Sequence, residues 1–135
     1  MREAGVALTA GNYTSSIRES IQAVESVARF LEPADDLSKA LGNLEKSASI
    51  HGALKGGFVS IYGYTSNEQG VRHSLIDSPS ANVDETDALF MIGACASFVS
   101  HLIGKARSAG LLKKNSRGRR EPPLDANETA AANAK

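Results

Sequence analysis

The sequence contains no tryptophan and one cysteine, and aromatic residues make up only 5% of its 135 residues. A single cysteine, Cys95, excludes an intramolecular disulfide and is typical of a reducing compartment, so we expect a cytoplasmic protein with this thiol in its core. Because aromatic side chains are scarce, the core must be mainly aliphatic, which favours helices packed on helices. The hydrophobic content of 41% is enough for one core, and we expect one domain.

Other absences exclude whole classes of site. The three histidines, His51, His73 and His101, are far apart in the sequence, and with a single cysteine they do not form a recognisable zinc-binding pattern. The glycines do not form a phosphate-binding loop, and there is no Gly-x-Ser-x-Gly motif. The acidic residues between positions 84 and 87 are better explained as a helix start than as metal ligands. We therefore expect neither a metal nor a cofactor.

The sequence also lacks a long uninterrupted apolar run. The first ten residues are too short and too mixed for a signal peptide. The longest apolar stretch, 88–103, is interrupted by polar and glycine residues and is shorter than the roughly 20 apolar residues that span a bilayer. We interpret it as a buried helix and expect no membrane association. Within it, Gly93 and Ser97 are small and four residues apart, which would let another helix of the core, or else a second subunit, approach closely.

Helical periodicity is present up to residue 62. Over residues 13–31 apolar positions recur at spacings of three and four, which predicts an amphipathic helix. A second helix is expected to begin near residue 35, where an aspartate can cap it, and to bury three leucines between positions 37 and 44. Residues 51–62 fit either a helix or a short strand. We favour the helix, since a lone strand would have no partner.

The rest of the chain divides into a loop, a helix and a tail. Residues 63–83 are rich in Ser, Asn, Asp and Gly, which predicts a long polar loop before the last helix. That helix should cover 84–107 and, being apolar on all sides, should be the most buried element. The fold class is all-α, a bundle of four to five helices. The domain prediction is a partial helix or leader (1–11), a helical domain (12–110) and a tail (111–135) that is first basic and then disordered.

Charge is distributed unevenly although the net charge is zero. Residues 1–104 contain seven basic and twelve acidic residues, whereas residues 105–120, here called the basic segment, contain seven basic residues and no acidic one. Such a run can contact a phosphate backbone without reading its sequence, and its alternative is a solvated tail. The basic side chains are Lys105, Arg107, Lys113, Lys114, Arg117, Arg119 and Arg120.

Polar side chains are concentrated between Tyr62 and His73. The guanidinium of Arg72 can hold a phosphate, and the imidazole of His73 can transfer a proton near neutral pH, so together they are suited to RNA cleavage. The alternative is structural: Arg72 would pair with an acidic residue such as Glu68 or Asp77, and His73 would hydrogen-bond a neighbouring helix.

Seven short motifs place these residues in a wider pattern, which extends over roughly residues 11–106. They are Asn12-Tyr13, Ser20 to Glu25, Leu37 to Leu44, His51 to Leu54, Tyr62-Gly63-Tyr64, Gly70 to His73 and Asp84 to Ala88. Their order and spacing resemble the HEPN-like domains attached to bacterial abortive-infection proteins. The resemblance implies a helical bundle that commonly dimerises and works in phage defence or toxin systems. Many members are metal-independent ribonucleases whose signature is an arginine, four to six residues, and a histidine.

This sequence departs from that signature. No arginine precedes any of its histidines at the required distance. If Asn67 matches the polar residue that often follows the family arginine, then Ser66 stands at the arginine position and phosphate contact passes to Arg72. Some HEPN relatives are inactive binding or adaptor modules. We therefore expect a homodimeric module that binds RNA, through Asn67 and the basic segment, or a protein partner. The alternatives are a metal-independent ribonuclease that uses Arg72 and His73, and a purely structural interaction domain.

Overall fold

The computed structural model describes residues 1–67 and 82–112, and within those ranges it contains five helices and no strand. This confirms the predicted all-α bundle. The helices are α1 (Arg2–Thr9), α2 (Tyr13–Leu31), α3 (Leu37–Ser47), α4 (Gly52–Asn67) and α5 (Glu85–Ser108).

Small side chains join α1 to α2. Ala4 is fully buried, and its carbonyl oxygen accepts a hydrogen bond of 2.8 Å from Oγ of Ser16. Gly11 connects the two helices with φ of 75°, a conformation that favours glycine. Asn12 then caps α2, since its Oδ1 accepts a hydrogen bond from the backbone N–H of Ser15. Helix α1 is thus a packed part of the bundle.

Helix α3 begins and packs as the sequence indicates. The carboxylate of Asp36 accepts a hydrogen bond of 2.8 Å from the backbone N–H of Lys39 and caps the helix. Leu37, Leu41 and Leu44 are all buried. These contacts confirm both the predicted start and the predicted leucine face.

Helix α4 is longer than the sequence indicated. It includes residues 58–62, which confirms the helix rather than the strand, but it continues to Asn67, so the loop prediction is wrong for residues 63–67. Two hydrogen bonds explain the extension. The buried Thr65 donates from Oγ1 to the carbonyl of Tyr62 at 2.7 Å, and the Tyr62 hydroxyl donates to Oε1 of Glu25 on α2 at 3.0 Å. The hydroxyl groups of Tyr62 and Thr65, which the sequence suggested were exposed to solvent, therefore form hydrogen bonds within the bundle.

Helix α5 starts at a capping box, in which the carboxylates of Asp84 and Asp87 each accept a backbone N–H of the other residue. It packs mainly against α2, and together these two helices form the centre of the core. The expectation that α5 is the most buried element is nevertheless wrong. Five of its 24 residues are buried, compared with seven of 19 in α2.

The exposed part of α5 is apolar. Leu89 and Phe90 are 53% and 61% exposed, because no described helix covers that side. Gly93 and Ser97 are also exposed, and nothing lies within 4 Å of a Cβ added at Gly93. The interpretation of this pair as a core-packing contact is therefore wrong. Helix α5 is long and apolar enough to cross a membrane, as are the core helices of many soluble proteins. In its most apolar 18 residues, 28% of the residues are buried in the bundle.

Candidate functional site

An apolar groove of about 420 Å³ lies between α4 and α5. On α4 its wall follows from the helical spacing of Leu54, Phe58 and Ile61, which places these side chains on one face. The facing wall on α5 is formed by residues between positions 94 and 101. Largely apolar concave surfaces with few polar groups are the usual form of a binding site, so the groove is the first candidate.

Stacked aromatic rings hold the two walls together. The rings of Phe58 and Phe98 are parallel, with an interplanar angle of 1° and centroids 4.0 Å apart. The imidazole of His101 lies beside Phe98, with ring centroids 6.2 Å apart. Its Nε2 atom is buried and has no hydrogen-bond partner among the described residues. His101 therefore places a buried polar atom without a described partner in the wall of the groove.

The surface around the groove is uncharged. Leu54 on α4 is 54% exposed, and Leu89 and Phe90 near the start of α5 are also exposed. No charged residue occurs between positions 88 and 104. Solvent-facing helix surfaces normally carry charged side chains, and a contiguous apolar surface marks an interaction site. We call this area, from the groove to the exposed side of α5, the α4–α5 face.

The sequence did not indicate this site, because helical periodicity identifies apolar positions but not the neighbours that cover them. The one signal available was α5 itself. Its apolar residues surround the helix, so their combined apolar surface is larger than the part that packing against α2 can bury.

The predicted nucleic-acid residues are placed only in part. Asn67 is the last residue of α4, and Lys105 and Arg107 lie in the last turn of α5. Lys105 is half-buried and Arg107 is exposed, and neither forms an ion pair with a carboxylate in the described part of the chain. The catalytic candidates Arg72 and His73 lie outside the described residues. The same holds for Lys113, Lys114, Arg117, Arg119 and Arg120.

Two titratable groups have shifted pKa values. Burial raises the pKa of the Cys95 thiol to about 11, and this side chain is fully buried, as expected for a core cysteine. A thiol of this kind is protonated at neutral pH and is not a nucleophile. Between α3 and α4, a hydrogen bond of 2.8 Å from Nζ of Lys55 to Oε2 of Glu45 lowers the pKa of Glu45.

In residues 1–67 and 82–112, no three His, Cys, Asp or Glu side chains are grouped as metal ligands.

Comparison with protein-family models, curated proteins and solved structures finds no match to this chain. The resemblance to HEPN-like domains therefore depends on the sequence motifs quoted above alone. The chemistry of the site must be argued from its residues.

Proposed function

We propose that this protein is a HEPN-like helical module of prokaryotic defence or toxin type that acts as a dimer and binds RNA. Sequence motifs in the order typical of such domains support the family assignment. The α4–α5 face supports a dimer, since it is an apolar surface that one chain leaves uncovered. The absence of the expected motif arginine favours binding over catalysis.

The observation that carries the RNA-binding proposal is the basic end of α5. Lys105 and Arg107 have no carboxylate partner in the described ranges, and they begin a sixteen-residue segment with seven basic residues and no acidic one. The backbone carbonyls at a helix C-terminus already attract cations, so these side chains do not need an acidic partner to be stable there. Their charges remain available for phosphate groups, which gives binding that is independent of base sequence.

Fluorescence anisotropy with a labelled single-stranded RNA tests this proposal. If about five phosphates are neutralised, the slope of log affinity against log salt should be about −3.5, a roughly hundredfold loss between 50 and 200 mM salt. Replacing Lys113, Lys114, Arg117, Arg119 and Arg120 by Gln should flatten that slope. The control carries Lys39→Gln and Lys46→Gln, two exposed cations on α3, and should bind like the wild type. Equal affinity of the two variants would contradict the role of the basic segment.

RNA integrity in the same samples separates binding from cleavage. With no arginine at the signature position, we expect the RNA to remain intact during long incubation in the presence of a chelator. Cleavage that is lost in both His73→Ala and Arg72→Ala would instead establish the metal-independent ribonuclease. Absence of RNA binding at low salt, with an intact dimer, would favour the protein-interaction module.

A further inference from the structure

We infer that the exposed side of α5 pairs with α5 of a second copy of this chain, antiparallel and around a twofold axis near Ala96. This inference rests on the proposed dimer and adds to it the surface and the register. It is argued from the order of residues along one exposed face, from their burial and from their charges.

The exposed face of α5 has a regular stripe. Seven positions at alternating spacings of three and four lie on one side of the helix: Thr86, Leu89, Gly93, Ala96, Ser100, Ile103 and Arg107. Five of them are exposed and the other two are half-buried. Positions with this spacing are those through which two helices can pack side by side over several turns. From end to end the stripe is about 32 Å long, at 1.5 Å per residue.

The stripe is self-complementary when read in the opposite direction. In an antiparallel pair centred near Ala96, the small Gly93 faces the small Ser100 of the second copy, and Leu89 faces Ile103. The bulky apolar side chains therefore lie on both sides of a narrow centre where the backbones can approach. A twofold interface requires this property, because each residue must suit a partner that belongs to the same surface.

Charge complementarity selects the second copy as the occupant. Glu85 in the first turn of α5 lies beside the stripe, Arg107 in the last turn lies on it, and residues between 88 and 104 are uncharged. Antiparallel pairing brings the acidic end of each helix beside the basic end of the other, and it also opposes the two helix dipoles. A parallel pair would bring like charges together at both ends. A lipid bilayer would leave the acidic turn without a cationic partner.

A steric variant gives the first test. Gly93→Leu adds a side chain where the single chain has free space within 4 Å, and leucine favours a helix more than glycine does. The variant should fold at least as well as the wild type by thermal denaturation. In analytical ultracentrifugation it should be monomeric at concentrations where the wild type is dimeric. The matched control, Gly56→Leu, lies at an exposed helical position of α4 with equally free space and should remain dimeric.

Charge reversal gives the second test. Glu85→Lys and Arg107→Glu should each weaken the dimer roughly tenfold, because each change replaces two attractive contacts by two repulsive ones. Mixing the two variants should restore the dimer as a heterodimer, whose distinct mass native mass spectrometry resolves. The controls Glu3→Lys and Lys46→Glu reverse charges at equivalent helix ends of α1 and α3 and should have no effect.

The outcomes distinguish this inference from the proposed function. A wild-type dimer that persists in Gly93→Leu and in both charge variants would overturn the inference and leave the dimeric proposal standing. A monomeric wild type that sediments with vesicles of neutral phospholipid would overturn both and assign the face to a membrane. A wild type that is monomeric and does not bind vesicles would also overturn both, while RNA binding is decided by the anisotropy measurement.

Discussion

Cys95 lies on the buried side of α5, and its side chain is not exposed to solvent. Burial raises the pKa of this thiol to about 11, so almost no thiolate forms at pH 8. We predict that Ellman's reagent reacts with the native protein only as fast as the protein opens, and reacts at once in denaturant. Fast labelling under native conditions would contradict the buried environment.

The same shift sets a dependence of stability on alkaline pH. In the unfolded chain the thiol ionises near its ordinary value of 9.0, whereas in the folded chain it stays protonated up to about 11. The stabilising contribution is therefore complete below pH 9 and is lost as the pH rises from 9 towards 11. Urea denaturation of Cys95→Ala should show a smaller decrease of the unfolding free energy over that interval than the wild type.

Glu45 should contribute at acidic pH. The hydrogen bond and charge of Lys55 lower the pKa of this carboxyl below its ordinary value of 4.5. Its contribution is thus present above pH 4.5 and is lost as the pH falls through the lowered folded value. We predict that Glu45→Gln reduces the loss of thermal stability between neutral pH and that range. Glu32→Gln, at the end of α2, is the control and should follow the wild-type profile.

At the level of elements, helix α4 is the one that its sequence supports least. It contains four glycines and nevertheless continues for 16 residues, held by Phe58, by Thr65 and by the bond from Tyr62 to Glu25. We predict that Gly56→Ala, at an exposed helical position with free space, raises the free energy of unfolding by about 0.5–1 kcal/mol. Gly11→Ala should lower it by about 1–2 kcal/mol, since φ there is 75°. Urea denaturation of both variants measures the two opposite effects.

The elements also show where sequence reasoning succeeds. Helices α2, α3 and α5 were predicted because their caps and apolar spacing are local properties. The extension of α4 to Asn67 was missed because its polar residues are typical of loops, whereas the structure buries Thr65 and bonds the preceding Tyr62 to Glu25, 37 positions away. The groove and the exposed face of α5 were missed for a related reason. Periodicity gives the direction of a side chain around its helix, whereas exposure depends on which other helices pack there.

At the level of the whole molecule, the antiparallel pair would place the two basic ends of α5 far apart. Lys105 lies about nine residues from the centre of the pair, which puts the two copies of this residue roughly 27 Å apart along the helix axis. Each basic segment would then begin at an opposite end of the interface. The dimer would thus present two separate phosphate-binding regions joined by an uncharged face.

This arrangement predicts that RNA affinity depends on RNA length through dimerisation. An RNA of about 30 nucleotides can contact both basic ends, so its second contact is intramolecular and its affinity should exceed that of an RNA of about 6 nucleotides by tenfold or more. In the monomeric Gly93→Leu variant the advantage of the long RNA should shrink while binding of the short RNA stays the same, because the variant retains every basic residue. Anisotropy titrations of both RNAs against both proteins measure this difference. An equal length dependence in the two proteins would show that the RNA contacts of one subunit are independent of the other.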